Sequence, residues 1–114
     1  MADAPMTVVE TAEFLKHAAR LMSDVDREKL VAFVGANPEA GEIIAETGGV
    51  RKIRWARKGK RGGARVIYYY HSERLPVFLL TAYAKNRKGN LSQAERNTMK
   101  RLIPILVAGY SRRT

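Results

Sequence analysis

Val50-Arg-Lys-Ile-Arg-Trp55 and Gly63-Ala-Arg-Val-Ile-Tyr-Tyr-Tyr70 flank a basic, glycine-punctuated segment, residues 56–62 (ARKGKRG). From Val50 onward the apolar residues recur with period two, Ile53 and Trp55 alternating with Lys52, Arg54 and Ala56. A strand with that pattern buries the indole and turns Lys52 and Arg54 out together on the other face. The second run is rich in β-branched and aromatic residues, and the glycines between 59 and 63 supply a flexible turn. The two runs therefore read as a β-hairpin with a cationic tip.

Downstream of the loop at Glu73 to Pro76, VFLLTAYA (77–84) is apolar on both faces, as a central strand is. Ser92 and Glu95 match the S-x-x-E capping box and open a last helix, with Met99, Leu102, Ile103 and Leu106 as its buried stripe. Pro104 falls inside that stripe and should kink or restart the helix. Upstream, Met6 to Glu10 is a short β-rich run. Ala12 to Met22 sets Phe14, Leu15, Ala18, Leu21 and Met22 at helical spacing. Ser23 with Asp26 opens a second helix through Val34, which must stop near Asn37 because Pro38 follows. Glu39 to Glu46 reads as one or two further helical turns, closed by Gly48 and Gly49. The expectation is a single α+β domain over residues 1–114, ordered β-α-α-β-β-β-α. Its sheet is small and mostly antiparallel, with two N-terminal helices and one C-terminal helix.

Charge is distributed very unevenly. The first fifty residues carry nine acids and four bases, a net of −5, whereas the remaining sixty-four carry seventeen bases and two acids, a net of +15. Eight of the fifteen residues from Arg51 to Arg65 are Lys or Arg and none is acidic. A field so concentrated attracts a polyanion, and nucleic acid suits it better than lipid, because the bases lie in a glycine-rich hairpin rather than along an apolar helix. With 46% apolar residues the chain is not of disordered composition. The absence of cysteine excludes disulfides and Cys-ligated metals, and two histidines make a structural metal site improbable. Neither a membrane-length apolar run nor a signal-peptide h-region is present, so the expectation is a cytoplasmic protein with no membrane partner.

The candidate site follows from these cations. Lys52 and Arg54 share a strand face, Arg65 opens the next strand, and Lys58, Lys60 and Arg61 crown the turn, flanked by Arg51 and Arg57. Such a ribbon can neutralise several phosphates. The segment from Lys58 to Gly63 is not a phosphate-binding P-loop, since no G-K-[ST] closes it and a strand, not a helix, follows. Lys85, Arg87 and Lys88 form a second cluster at the end of the central strand, placed to stabilise charge developing on a phosphate. Tyr68, Tyr69, Tyr70 and Tyr83 could stack on bases, but at least one face of their strand must pack, so core is the better reading for most of them. His71 at a strand end and His17 on an acidic helix are better explained as structural and surface residues. Glu73 sits in a loop and Glu95 is accounted for by capping. No carboxylate pair, Ser-His-Asp set or metal cluster can be assembled.

Taken in order, Val50-Arg-Lys-Ile-Arg-Trp, Gly63-Ala-Arg-Val-Ile-Tyr-Tyr-Tyr, Phe78-Leu-Leu-Thr-Ala-Tyr-Ala-Lys-Asn and Leu91-Ser-x-Ala-Glu resemble the RelE/HigB superfamily of type II toxins, in its HigB-like branch. The similarity runs over roughly residues 6 to 108. It implies a RelE-like fold and a ribosome-dependent mRNA endonuclease that enters the 70S ribosome and cuts the A-site codon. The RNA 2′-hydroxyl would be the nucleophile, and no metal or other cofactor would take part. Partners would be the ribosome, mRNA and a cognate antitoxin, a helix-turn-helix DNA-binding protein. By motif, Lys52 and Arg54 take the paired cation positions, Arg65 contacts the scissile phosphate, and Lys85 matches the basic end of the last strand, with Arg87 or Lys88 beside it. The bases Arg51, Arg57, Lys58, Lys60 and Arg61 would serve ribosome docking. Some members carry a tyrosine soon after that strand. Here the stretch is Gly89-Asn90-Leu91, which leaves Tyr83 and Lys85 as alternatives for the general base. Two other readings use the same residues: a non-catalytic RNA- or DNA-binding module, and an interaction protein whose basic face docks an acidic partner.

Overall fold

The computed structural model describes residues 4–55, 63–86 and 88–111. The elements run β1 (Val8–Glu10), α1 (Ala12–Leu21), α2 (Asp24–Ala36), β2 (Glu42–Ile43), β3 (Arg51–Trp55), β4 (Ala64–Tyr69), β5 (Val77–Ala84) and α3 (Gln93–Ser111). All strands join one five-stranded sheet in the order β1-β5-β4-β3-β2. β1 lies parallel to β5, and every other pairing is antiparallel. The expected α+β class and mostly antiparallel sheet are thus observed.

Side-chain oxygens start all three helices, at Ser23 and Ser92 as the sequence places them and also at Thr11. Ser23 Oγ accepts from the Asp26 N–H at 3.1 Å, and α2 ends at Asn37, before Pro38. In α3 the capping box is reciprocal: Ser92 Oγ accepts from the Glu95 N–H at 3.1 Å while Glu95 Oε1 accepts from the Ser92 N–H at 2.8 Å. Thr11 caps α1, accepting from the Phe14 N–H, and its hydroxyl donates to the Leu79 carbonyl at 2.8 Å. One side chain therefore both starts α1 and fixes it to β5.

One expectation needs correction. The segment from Glu39 to Glu46 is not helical. Its centre is the edge strand β2, with Glu42 opposite Lys52 and Ile43 opposite Arg51. Tertiary contacts override local preference here. The buried Tyr68 hydroxyl accepts from the Gly41 N–H at 2.7 Å and donates to the Pro38 carbonyl at 3.0 Å, holding the segment extended across β3. A Cβ at Gly41 would stand 2.7 Å from that hydroxyl and 2.8 Å from the Lys52 carbonyl, so only glycine passes. The following turn places Glu46, Gly48 and Gly49 at positive φ, and the buried Thr47 hydroxyl bridges the Ile44 carbonyl and the Val50 N–H. Of the kink or restart expected at Pro104, the restart does not occur, since the proline lies inside the continuous helix α3. The ring is exposed, so the Lys100 carbonyl that loses its helical partner can turn to water.

The sheet is packed on both faces. α1 and α2 bury Phe14, Ala18, Leu30 and Val34 against Val66, Tyr68 and Leu79, with Ile53 and Trp55 at the margin. α3 covers Ile67, Tyr69, Phe78 and Leu80 with Ile103 on the other side. Tyr68 and Tyr69, on opposite faces, are both core residues.

Candidate nucleic-acid interface

Register builds the site. Arg54 lies directly opposite Arg65 across β3 and β4, and Arg65 lies directly opposite Tyr83 across β4 and β5. Directly opposed residues share a face, so the three form one row across the sheet. The next row, Glu42 to Lys52 to Ile67 to Thr81, runs beside it on the same face. That is the α3 face, at the end of the sheet where α3 begins. The expected division of β3 is therefore observed: Ile53 and Trp55 pack under α2, and Lys52 and Arg54 point the other way. Trp55 is half-buried rather than enclosed, its ring 5.6 Å from Phe33 and its Nε1–H donating to the Asp26 carbonyl.

Tyr83 reaches the row because β5 carries a bulge. Ile67 pairs with Thr81 but Tyr68 pairs with Leu79, which leaves Leu80 as an extra residue. Strict alternation would put Leu80 and Tyr83 on opposite faces, whereas both pack on the α3 side. The Tyr83 hydroxyl is buried and has no hydrogen-bond partner among the described residues. Burial raises its pKa, against the opposing pull of the Arg65 and Arg96 charges and with the help of Glu95. The phenol therefore keeps its proton through neutral pH.

The segment after β5 folds over this face. Lys52 Nζ donates to Asn90 Oδ1 at 3.2 Å. Lys88 Nζ lies 5.0 Å from the Tyr83 ring centroid, a cation–π distance, and pairs with Glu95 at 2.5 Å. The bond from Lys88, more than the Ser92 N–H, holds the Glu95 carboxyl below its usual pKa. Glu95 thus does more than cap α3, which is the role its sequence context indicates. Lys85 is exposed at the end of β5, where its backbone N–H meets the Gly63 carbonyl at the start of β4. Arg96 spans from α3 to the Leu91 and Ala45 carbonyls.

Of the expected cations, the fold brings Lys52, Arg54, Arg65 and Lys88 to this face, with Lys85 at its rim. Arg51 is placed elsewhere: opposite Tyr68, on the other side of the sheet, its guanidinium donates to the Glu39 and Gly41 carbonyls. Arg57, Lys58, Lys60, Arg61 and Arg87 lie outside the described residues. His71 bonds the Tyr69 hydroxyl at 2.8 Å at the far end of β4, and the exposed His17 pairs with Glu13. A groove of about 1040 Å³ also lies at that far end, lined by Pro5, Pro38 and Tyr70 with Glu39, Glu73 and Arg74. Its mixed charge makes it a poor seat for a polyanion. Among the described residues no three His, Asp or Glu side chains gather as a metal site, and no helix is long and apolar enough to cross a membrane. Asn90 and the Lys88–Glu95 pair are features the sequence does not single out; register and loop path create them.

The described residues thus form an α+β domain with Arg54 and Arg65 in one row across a sheet end and further basic residues after the last strand. The family model described as the RelE toxin of the RelE/RelB toxin–antitoxin system matches residues 6–111. The chain belongs to that toxin family, whose members are paired with an antitoxin.

Proposed function

We propose that this chain is a ribosome-dependent mRNA endonuclease of the HigB-like branch, cleaving mRNA in the ribosomal A site without a metal. The observation that carries the reading is the direct opposition of Arg54 and Arg65. Like charges facing each other across strands destabilise a sheet, and an anion between them reverses the sign. A phosphodiester is the anion such a row fits. Arg65 would hold the scissile phosphate, Arg54 and Lys52 its neighbours, and Lys85 the rim. The RNA 2′-hydroxyl attacks the adjacent phosphorus and the bond to O5′ breaks, leaving a 2′,3′-cyclic phosphate and a 5′-hydroxyl. One proton leaves the nucleophile and one reaches O5′. The arginines stabilise the charge that gathers on the non-bridging oxygens. Nothing in the row aligns the nucleophile, and the ribosome would supply that alignment. The setting would be the cytoplasm, and the partner a cognate antitoxin with a helix-turn-helix DNA-binding domain.

Mapping mRNA ends in a translating extract tests this, with and without ribosomes. Codon-phased cleavage that needs ribosomes, and that is lost on combining Arg65→Ala with Lys85→Ala, is expected. Equal cleavage of naked RNA would remove the A-site element. Salt-sensitive RNA binding without any cleavage would favour the non-catalytic binding module instead.

A further inference from the structure

We infer that Tyr83 is a phosphate-binding hydrogen-bond donor of the basic row, kept under the Lys88 side chain until an anion draws Lys88 away from Glu95. This rests on the reading of the row as a phosphodiester site and names a further residue in it. A hydroxyl buried without a partner is costly, and proteins seldom keep one without a use. Here the orphan stands directly across from Arg65, on the face that carries Arg54 and Lys52. The bulge in β5 is what turns it there. Lys88 lies over its ring and is tied down by one half-exposed ion pair, a contact an incoming phosphate can outbid. Once Lys88 turns to the phosphate, the hydroxyl beside Arg65 has an acceptor. A phenol that holds its proton suits donation and not proton abstraction, so of the two candidates for general base Tyr83 is the one this assignment removes.

The test uses the full chain labelled with 13C at tyrosine Cζ and titrated with inorganic phosphate, with Tyr83→Phe identifying the resonance. The Tyr83 line should move saturably while that of Tyr68, whose hydroxyl is already bonded twice, stays fixed. An unmoved Tyr83 line overturns the assignment, whatever the cleavage assay gives. In the translating extract Tyr83→Phe should lower the rate of cleavage about 10- to 100-fold with the half-saturating ribosome concentration unchanged. An unaltered rate also overturns it. A wild-type protein that cleaves nothing yet shows the shifted line would count against the nuclease reading alone.

Discussion

Tyr68 and Tyr83 offer a paired substitution with opposite expected outcomes. Removing the Tyr68 hydroxyl leaves the Gly41 N–H, which donates to it at 2.7 Å in a buried setting, without a partner. The Pro38 carbonyl, at 3.0 Å, loses its donor but lies nearer solvent. A stranded buried donor costs about 1–3 kcal/mol. With an unfolding entropy of about 2.1 cal/mol/K per residue, a 114-residue chain melts roughly 8 °C lower for a 2 kcal/mol loss. Tyr68→Phe should therefore lower Tm by about 4–12 °C in a calorimetric or circular-dichroism melt at neutral pH. Tyr83→Phe removes a hydroxyl that bonds nothing among the described residues, so it should leave Tm unchanged or raise it by a degree or two. Stability retained with activity lost is the signature of a group kept for function. Similar losses of Tm in both variants would refute the contrast, because they would mean that the Tyr83 hydroxyl is satisfied in the folded protein.

Arg54→Ala should raise stability at low salt by about 0.2–1 kcal/mol, through relief of the repulsion with Arg65, and the gain should shrink as salt screens the pair; denaturant melts at two ionic strengths check it. The same variant should weaken RNA binding and flatten its salt dependence by about one phosphate contact, a loss absent if Arg54 faces only solvent. Arg51→Ala should do the reverse, costing about 1 kcal/mol through the lost bonds to the Glu39 and Gly41 carbonyls while sparing ribosome-dependent cleavage. Glu95→Gln keeps the cap but not the pair with Lys88. Because the folded pKa of Glu95 is depressed, its stabilisation is present above the ordinary carboxylate range and disappears as pH falls through the folded value. Melts from pH 7 down to 3 should accordingly be flatter for the variant than for wild type, and identical slopes would sink the pairing.

Much of this architecture could be read from local pattern. Alternation in residues 51–55 separated Trp55 from Lys52 and Arg54, and the caps at Ser23 and Ser92 marked two helix starts that the structure keeps. What resisted reading was set at long range. β2 exists because Tyr68, twenty-seven residues further on, holds Gly41 extended, and nothing in the segment's own composition announces a strand. Arg51 looked like its basic neighbours, yet period two sends it to the opposite face, where carbonyls claim its guanidinium. The bulge was silent for a different reason. VFLLTAYA is apolar throughout, so it has no alternation for an extra residue to interrupt.

That extra residue decides what the basic face can do. If β5 alternated strictly from Phe78, Ala82 and Ala84 would oppose the arginines and the Tyr83 phenol would turn toward the helices that cover the other face. Arg54 and Arg65 would then form a cationic strip with a methyl beside it, able to attract a phosphate but offering it no neutral donor. With Leu80 and Thr81 both set against Ile67, the strand is re-aimed for its last turn of residues and the phenol completes the row. The cost is visible in the same place: two arginines face to face and a buried hydroxyl without a partner among the described residues. On the proposed reading a phosphate in the row would ease the opposition of the arginines and give the phenol an acceptor. The row is then organised for a phosphate, and the acidic half of the chain reaches its neighbour at one register position, where Glu42 lies directly opposite Lys52.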